Sequence, residues 1–323
     1  MSALDPRIPA TTPTGTRDLL PEELSELRGI TRAIEDALSA AGYGEVRTPT
    51  LEVEAQESAG LAAYRFMDEQ GNTLVLRSDM TVPIARVALT RYAESSLPLR
   101  LSYLERSWRR VKSHSGEGRE ILQAGAELIG AGADGPREII ELCAQALTAA
   151  GLNDWKIAIG DAGILDSLLA GVDGSVAADV REAVIDQDLV KVDQLAARIG
   201  SGSLASAIRF RHDAIGFEDA LSASGIELDS LDDLRALLNA LTPDLQSRVI
   251  IDFGLSSALD YYSGLVFAIY DPAVGRAIGG GGSYDSLFAE SNSGLTGVGF
   301  ALDVDVLHQA IAGEERGESL PNG

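Results

Sequence analysis

Apolar residues Leu24, Leu27, Ile30, Ile34 and Leu38 return every three or four positions, the repeat of a helix with one buried face. Pro21, Glu22 and Glu23 suit its first turn, where no amide is needed and acids meet the positive end of the dipole; Gly42 stops it. "EVRTPTLE" then predicts a strand whose Pro49 favours an edge or an interface over a central position. "YRFMDEQGNTLVLRSDM" predicts a hairpin turning at positions 69–72, and "TVPIARVALTRYAE" a helix. "LRLSYLERSWRR", "VKSHSGEG" and "REILQAGAELIG" read as strand, polar loop and strand. Positions 136–149 predict a helix and "DWKIAIGD" a strand.

From about 163 to 243 every pattern is helical. Strands return with "SRVIIDFG", "LDYYSGLVFAIYD" and "GRAIGGGG", the last two joined by a turn at 271–275. A strand, "LTGVGFALD", and a helix, "VDVLHQAIAG", close the fold. The sheet is thus built from both ends of the chain: 1–162 forms its first part, 163–245 a helical insertion and 246–312 its second part. The tail, 313–323, is expected to be disordered. Strands that cluster without strict alternation with helices predict an α+β fold with a mainly antiparallel sheet.

With 323 residues, 45% of them apolar, the chain is long enough for a sizeable core. A net charge of −23 repels phosphate backbones and anionic membranes, which argues against a nucleic-acid or membrane partner; a basic strip at 100–112 is the one local exception. Cys143 is the single cysteine and reads as a small apolar residue of a helix. His114, His212 and His308 are far apart, so neither a metal site nor a Ser/His/Asp set is expected. The N-terminus lacks the apolar core of a signal peptide and no run of about 18 apolar residues offers a span, so a cytoplasmic protein is expected.

Candidate chemistry gathers in four places. The run Gly279–Gly282 matches no phosphate-loop spacing and reads better as a strand passing close to a ligand or another strand. Tyr284 and Asp285 follow it, and Asp260, Tyr261 and Tyr262 are expected on the opposing strand. Gln123, Gly125 and Glu127 share one face of a strand, with the glycine expected to leave room above the backbone for a small molecule. Asp79 ends another strand. Buried carboxylates need a cation, and spacing alone favours a structural arginine over a ligand's ammonium group. Arg109 lies in a basic stretch that is either a solvated edge or an anion site.

Seven segments, "TGTRDLLPEE", "GYGEVRTPTLE", "YRFMDEQGNTLVLRSDMT", "YLERSWRRVKSHSGEGREILQAGAELIG", "LDYYSGLVF", "AIGGGGSYDSL" and "TGVGFALDVDVL", resemble in sequence and order the histidyl-tRNA synthetase family. The resemblance covers about 15–307, is weak in the insertion, and implies a class II aminoacyl-tRNA synthetase-like core. It implies that Asp79, Gln123 and Glu127, with Thr81 nearby, hold the amino group of L-histidine, and that Tyr261, Tyr262 and Tyr284 surround its imidazole. Asp79 is one methylene shorter than the glutamate usual in that family.

The adenylating machinery departs from the pattern. The arginine of the second class motif survives as Arg109, but Val111, Lys112, Ser257, Ser283 and Val306 stand where the family carries a glutamate and four arginines, and Asp303 adds negative charge beside Val306. Losing cations that face polyphosphate weakens transition-state stabilisation, so adenylation, and with it any catalytic residue or cofactor, is not expected. Sixteen residues follow Leu307, where the synthetases continue into an anticodon-binding domain. "SDMTVPIARVA" is more similar to a sister family, the regulatory subunits of ATP phosphoribosyltransferase, although Ser78 replaces a usual proline. That resemblance implies a dimer that joins the short-form catalytic subunit in a hetero-octamer, activates it and conveys feedback inhibition by histidine in histidine biosynthesis. A free-standing amino-acid-activating enzyme and a dimer with a vestigial pocket are the alternatives.

Overall fold

The structure, a computed structural model, describes residues 11–54, 63–111, 118–226, 228, 231–255, 261–291 and 294–318. The first amphipathic repeat forms α1 (Pro21–Ala40), which buries Leu27, Ile30, Ile34 and Leu38. The proline-bearing stretch expected as one strand is two, β1 (Gly44–Glu45) and β2 (Leu51–Val53), which belong to different sheets. Pro49 lies between them: without an N–H it cannot carry a ladder through, and the chain changes sheets there. β3 (Arg65–Met67) and β4 (Thr73–Leu76) form the expected hairpin, turned by Asp68, whose Oδ1 accepts from the amides of Gln70 and Asn72. These two strands and β2 make a small sheet.

α2 (Thr81–Arg91), β5 (Leu99–Trp108), β6 (Glu120–Ile129), α3 (Gly135–Ala150) and β7 (Lys156–Asp161) complete the first part. The insertion holds α4 (Ala162–Leu168), α5 (Gly174–Ile185), α6 (Leu189–Ile199) and α7 (Gly202–Ile208), which enclose their own core around Val180, Val192 and Leu204. It is not wholly helical as expected. β8 (Arg211–Asp213) pairs with the open edge of β9 (Val249–Asp252). Three polar residues carry no apolar alternation, so this pairing is set by its neighbour and by the Arg211–Asp252 ion pair at 2.6 Å. α8 (Phe217–Ser224), α9 (Asp232–Ala240) and α10 (Pro243–Gln246) return to the main core through Phe217, Leu221, Leu234 and Leu245.

β10 (Leu265–Tyr270), β11 (Gly279–Ser283), β12 (Gly297–Asp303) and α11 (Val304–Glu315) finish the chain. α11 runs past position 312, into the expected tail. Its end is tied down by Glu314, which accepts from the amides of Asn153 (3.0 Å) and Asp154 (2.7 Å). The large sheet has the order β1-β5-β6-β12-β11-β10-β7-β9-β8, with six of its eight pairings antiparallel, so the α+β, mainly antiparallel expectation holds.

Alternation along β6 divides the molecule. Ala124, Ala126 and Leu128 face the main core with α1, α3 and α11, where Cys143 is also buried. The intervening residues Gln123, Gly125 and Glu127 face the other side, toward α2.

Candidate functional site

On that other side a cavity of about 420 Å³ opens above the middle of the sheet. Asp79, Thr81, Gln123, Tyr261, Tyr262, Tyr284 and Arg109 all line it, so residues from five separate segments converge. Glu127 lies just behind this lining, 1% exposed, with Oε1 accepting from the Thr81 hydroxyl at 2.8 Å.

Two arginines fix the Asp79 segment. Arg77, 2% exposed, donates to the carbonyls of Thr48 (2.7 Å) and Arg106 (2.8 Å) and pairs with Glu105. Arg109, just beyond β5, donates Nε–H to the Ser78 carbonyl at 3.0 Å. Its neighbour Arg106 pairs with Glu120 at 3.3 Å on a half-exposed edge. Asp79 then turns back to accept from the Val82 amide at the start of α2 (3.1 Å). Burial pushes the Asp79 carboxyl above the usual range, while that amide and the Arg109 charge pull it down.

Gln123 and Glu127 share a face, as expected, but the space over Gly125 is not left for a ligand. Tyr103, paired across the ladder from Gly125, lays its ring there, and a Cβ at position 125 would collide with it. Gly299, opposite Glu127 on β12, does for the carboxylate what Gly125 does for the ring. The glycine run behaves as read. β11 is a central strand, and the rings of Phe267 and Tyr262 lie against Gly281 and Gly282.

Tyr261 and Tyr262 are not strand residues: β10 begins at Leu265, and they sit in the approach to it. Both line the cavity. Tyr261 stands edge-on to Tyr262 (5.1 Å, 63°) and to Tyr284 (6.5 Å, 85°). Burial pushes all three hydroxyls up, aided by the charges of Asp79 and Glu127, so the tyrosines are neutral donors at any working pH.

The wall beyond the tyrosines is largely apolar, with Arg276 and Asp303 beside it. Val111, Ile121, Ile278 and Val306 line it. The Asp303 carboxylate is occupied as the cap of α11, accepting from the amides of Asp305 (3.0 Å) and Val306 (3.1 Å). Ser283 faces a second cavity, together with Asp161 and Asp285. Lys112, His114, Ser257 and Asp260 lie outside the described residues. His212 and His308 are distant from the cavity, the latter on Glu26 at 2.7 Å.

Sequence reasoning missed Tyr103 and Arg276. Tyr103 would have needed the register of β5 on β6. Arg276, whose charge draws the Asp303 carboxyl down against burial, sits in a turn, where an arginine carries no local signal.

Among the described residues, seven buried side-chain polar atoms have no hydrogen-bond partner, and four of them are Gln123 Oε1, Glu127 Oε2, Tyr261 Oη and Tyr284 Oη. Each such atom costs about 1–3 kcal/mol. Their concentration around one cavity is the chemistry that a small ligand rich in donors and acceptors would satisfy.

Comparison with known proteins agrees with this geometry. The family model described as histidyl-tRNA synthetase matches residues 15–307. The ATP phosphoribosyltransferase regulatory subunit of Symbiobacterium thermophilum is 38% identical over 94% of this chain and 80% of that protein. Its counterpart from Moorella thermoacetica is 34% identical over 97% and 84%. The crystal structure of an ATP phosphoribosyltransferase regulatory subunit/histidyl-tRNA synthetase from Bacillus halodurans superposes with a TM-score of 0.82 at 30% identity, covering 94% of this chain and 83% of the other. With a histidyl-tRNA synthetase family model over 15–307 and regulatory-subunit relatives at 34–38% identity over most of its length, the chain belongs to the family of ATP phosphoribosyltransferase regulatory subunits.

Proposed function

We propose that the protein is a non-catalytic regulatory subunit that binds L-histidine in this cavity, activates the short-form catalytic subunit of ATP phosphoribosyltransferase and conveys feedback inhibition to it. The carrying observation is the group of four unpartnered polar atoms around a cavity that also holds two carboxylates. An α-ammonium group bonded to Asp79, Gln123 and Glu127 makes charge-assisted hydrogen bonds, and an imidazole among Tyr261, Tyr262 and Tyr284 finds fixed hydroxyls. An apolar side chain of the same size would leave those hydroxyls unpaired, which is the basis of strong discrimination. Arg109 reaches the same space and suits the ligand's carboxylate.

The apolar Val111, Ile121 and Val306 argue against adenylate formation, since among the described residues they leave Arg109 and Arg276 as the cations lining the cavity, little counter-charge for a polyphosphate. Coupling to the catalytic subunit then crosses a protein interface in a hetero-octamer, with this chain present as a dimer. Leu51, Val53, Phe66 and Met67 of the small sheet, with Val82 of α2, are exposed apolar groups suited to cover by a second copy. A subunit of a biosynthetic enzyme works where that enzyme does, in the cytoplasm.

Calorimetry with L-histidine, an ATP–pyrophosphate exchange assay, and activity of a co-purified short-form catalytic subunit with and without histidine test this reading together. Saturable binding without exchange, faster phosphoribosyl transfer in the complex and its loss on adding histidine are expected. Histidine-dependent exchange would show an amino-acid-activating enzyme instead, and absence of binding at millimolar histidine a vestigial pocket.

A further inference from the structure

We propose that the cavity is a proton-linked site: empty, it holds one proton between Asp79 and Glu127, and it releases that proton when a cationic α-amino group enters, so that occupancy follows pH as well as ligand concentration. This rests on reading the cavity as an amino-acid site and specifies how that site is regulated.

The basis is an imbalance between two buried carboxylates. Asp79 has the Val82 amide at 3.1 Å and the field of Arg109. Glu127 has neither. Facing it are the Thr81 hydroxyl from α2, Tyr103 from β5, Tyr262 and Tyr261 from the approach to β10, Tyr284 from the end of β11, and the Asp79 charge. β12 contributes Gly299, which has no side chain to offer. Among the described residues no basic side chain forms an ion pair with Glu127 within 4.0 Å, and only the hydroxyls of Thr81 and Tyr284 offer it hydrogen bonds. A carboxylate so enclosed, with a second carboxylate nearby, is stable only with a proton or a cation.

Burial, with the Asp79 charge, pushes Glu127 up to about 8, against smaller downward pulls from Tyr284 and Thr81. The empty pocket at neutral pH therefore carries a proton on Glu127. An entering ammonium group supplies the missing cation, ionisation of Glu127 becomes favourable, and one proton passes to the buffer. The ligand's cation takes the place of the lost proton beside the two carboxylates.

The test uses L-histidine and the full chain. Calorimetric titrations at one pH in phosphate and in Tris, whose ionisation enthalpies differ, count the protons released. About one per site is expected at pH 7 and about a quarter at pH 8.5, with affinity about fivefold tighter at pH 8 than at pH 7. Glu127→Gln, titrated the same way, gives the background from the ligand's own ring and should release less. Asp79→Asn removes the neighbouring charge and moves the linkage to lower pH. A wild-type affinity that is flat from pH 7 to pH 8, or equal proton release by wild type and Glu127→Gln, overturns the linkage while leaving histidine binding intact. Absence of any binding heat overturns the amino-acid reading itself.

Discussion

The same buried acid makes a prediction about folding that needs no ligand. Glu127 titrates near its ordinary value of 4.5 when the chain is unfolded and near 8 when folded, because burial penalises its charged form. Between those pH values the folded chain holds a proton that the unfolded chain has lost, so stability falls as pH rises. The contribution is complete below about pH 4.5, declines by about 1.4 kcal/mol per pH unit, and is lost as pH passes through 8. Over the whole span it is on the order of 5 kcal/mol, a large part of the stability of an ordinary domain. Glu127→Gln keeps the shape and can still accept from Thr81, but has no proton to lose. Urea denaturation at pH 5 and pH 8 should show the variant gaining on wild type by about 3–4 kcal/mol across that interval, with unchanged m-values. Parallel pH profiles for the two proteins would refute the reasoning, since they would mean that Glu127 is ionised in the fold with a counter-charge or water at Oε2.

Gly299→Ala should lose about 1–3 kcal/mol by overpacking and displace the Glu127 carboxylate, weakening histidine binding; chemical denaturation and calorimetry read the two effects separately. Arg77→Met removes the buried partner of Glu105, leaving it the exposed Arg47 at 2.7 Å, and takes a donor from the Thr48 and Arg106 carbonyls; it should cost about 3–5 kcal/mol in the same denaturation assay, with Asp79 losing its support. Burial, together with the Glu314 carboxylate, pushes Asp271 up to about 6, whereas Glu314 is held low by the amides of Asp154 and Asn153 despite its own burial. Asp271 in its protonated form joins the turn after β10 to α11, so that contact is strongest at acid pH and lost as pH rises through 6. Asp271→Asn should remove this decline, visible as a Tm difference from wild type that is larger at pH 8 than at pH 5.

How far each feature was legible in sequence follows from how local its cause is. α1 could be read because Leu27, Ile34 and Leu38 carry their spacing with them, and the turn at 68–72 because Asp68 bonds its own neighbours. β8 could not be read, because nothing in Arg211–Asp213 prefers a strand until β9 presents its edge. Tyr261 and Tyr262 show the intermediate case. Their place in the cavity was expected from resemblance, but their release from the strand depends on the empty surface of Gly282, distant in sequence.

By itself the sequence determined the α+β class, the mainly helical character of 163–243 and the acidic composition, and it named the side chains proposed to meet an amino acid. These depend on periodicity, composition and residue type, which act over a few positions. Only the tertiary structure decided that Tyr103 fills the space above Gly125, that Asp303 caps a helix, and that Glu127 lies enclosed without a cation while Asp79 does not. Burial and electrostatic environment are sums over neighbours brought together by the sheet, and a carboxylate's charge state is set by that sum.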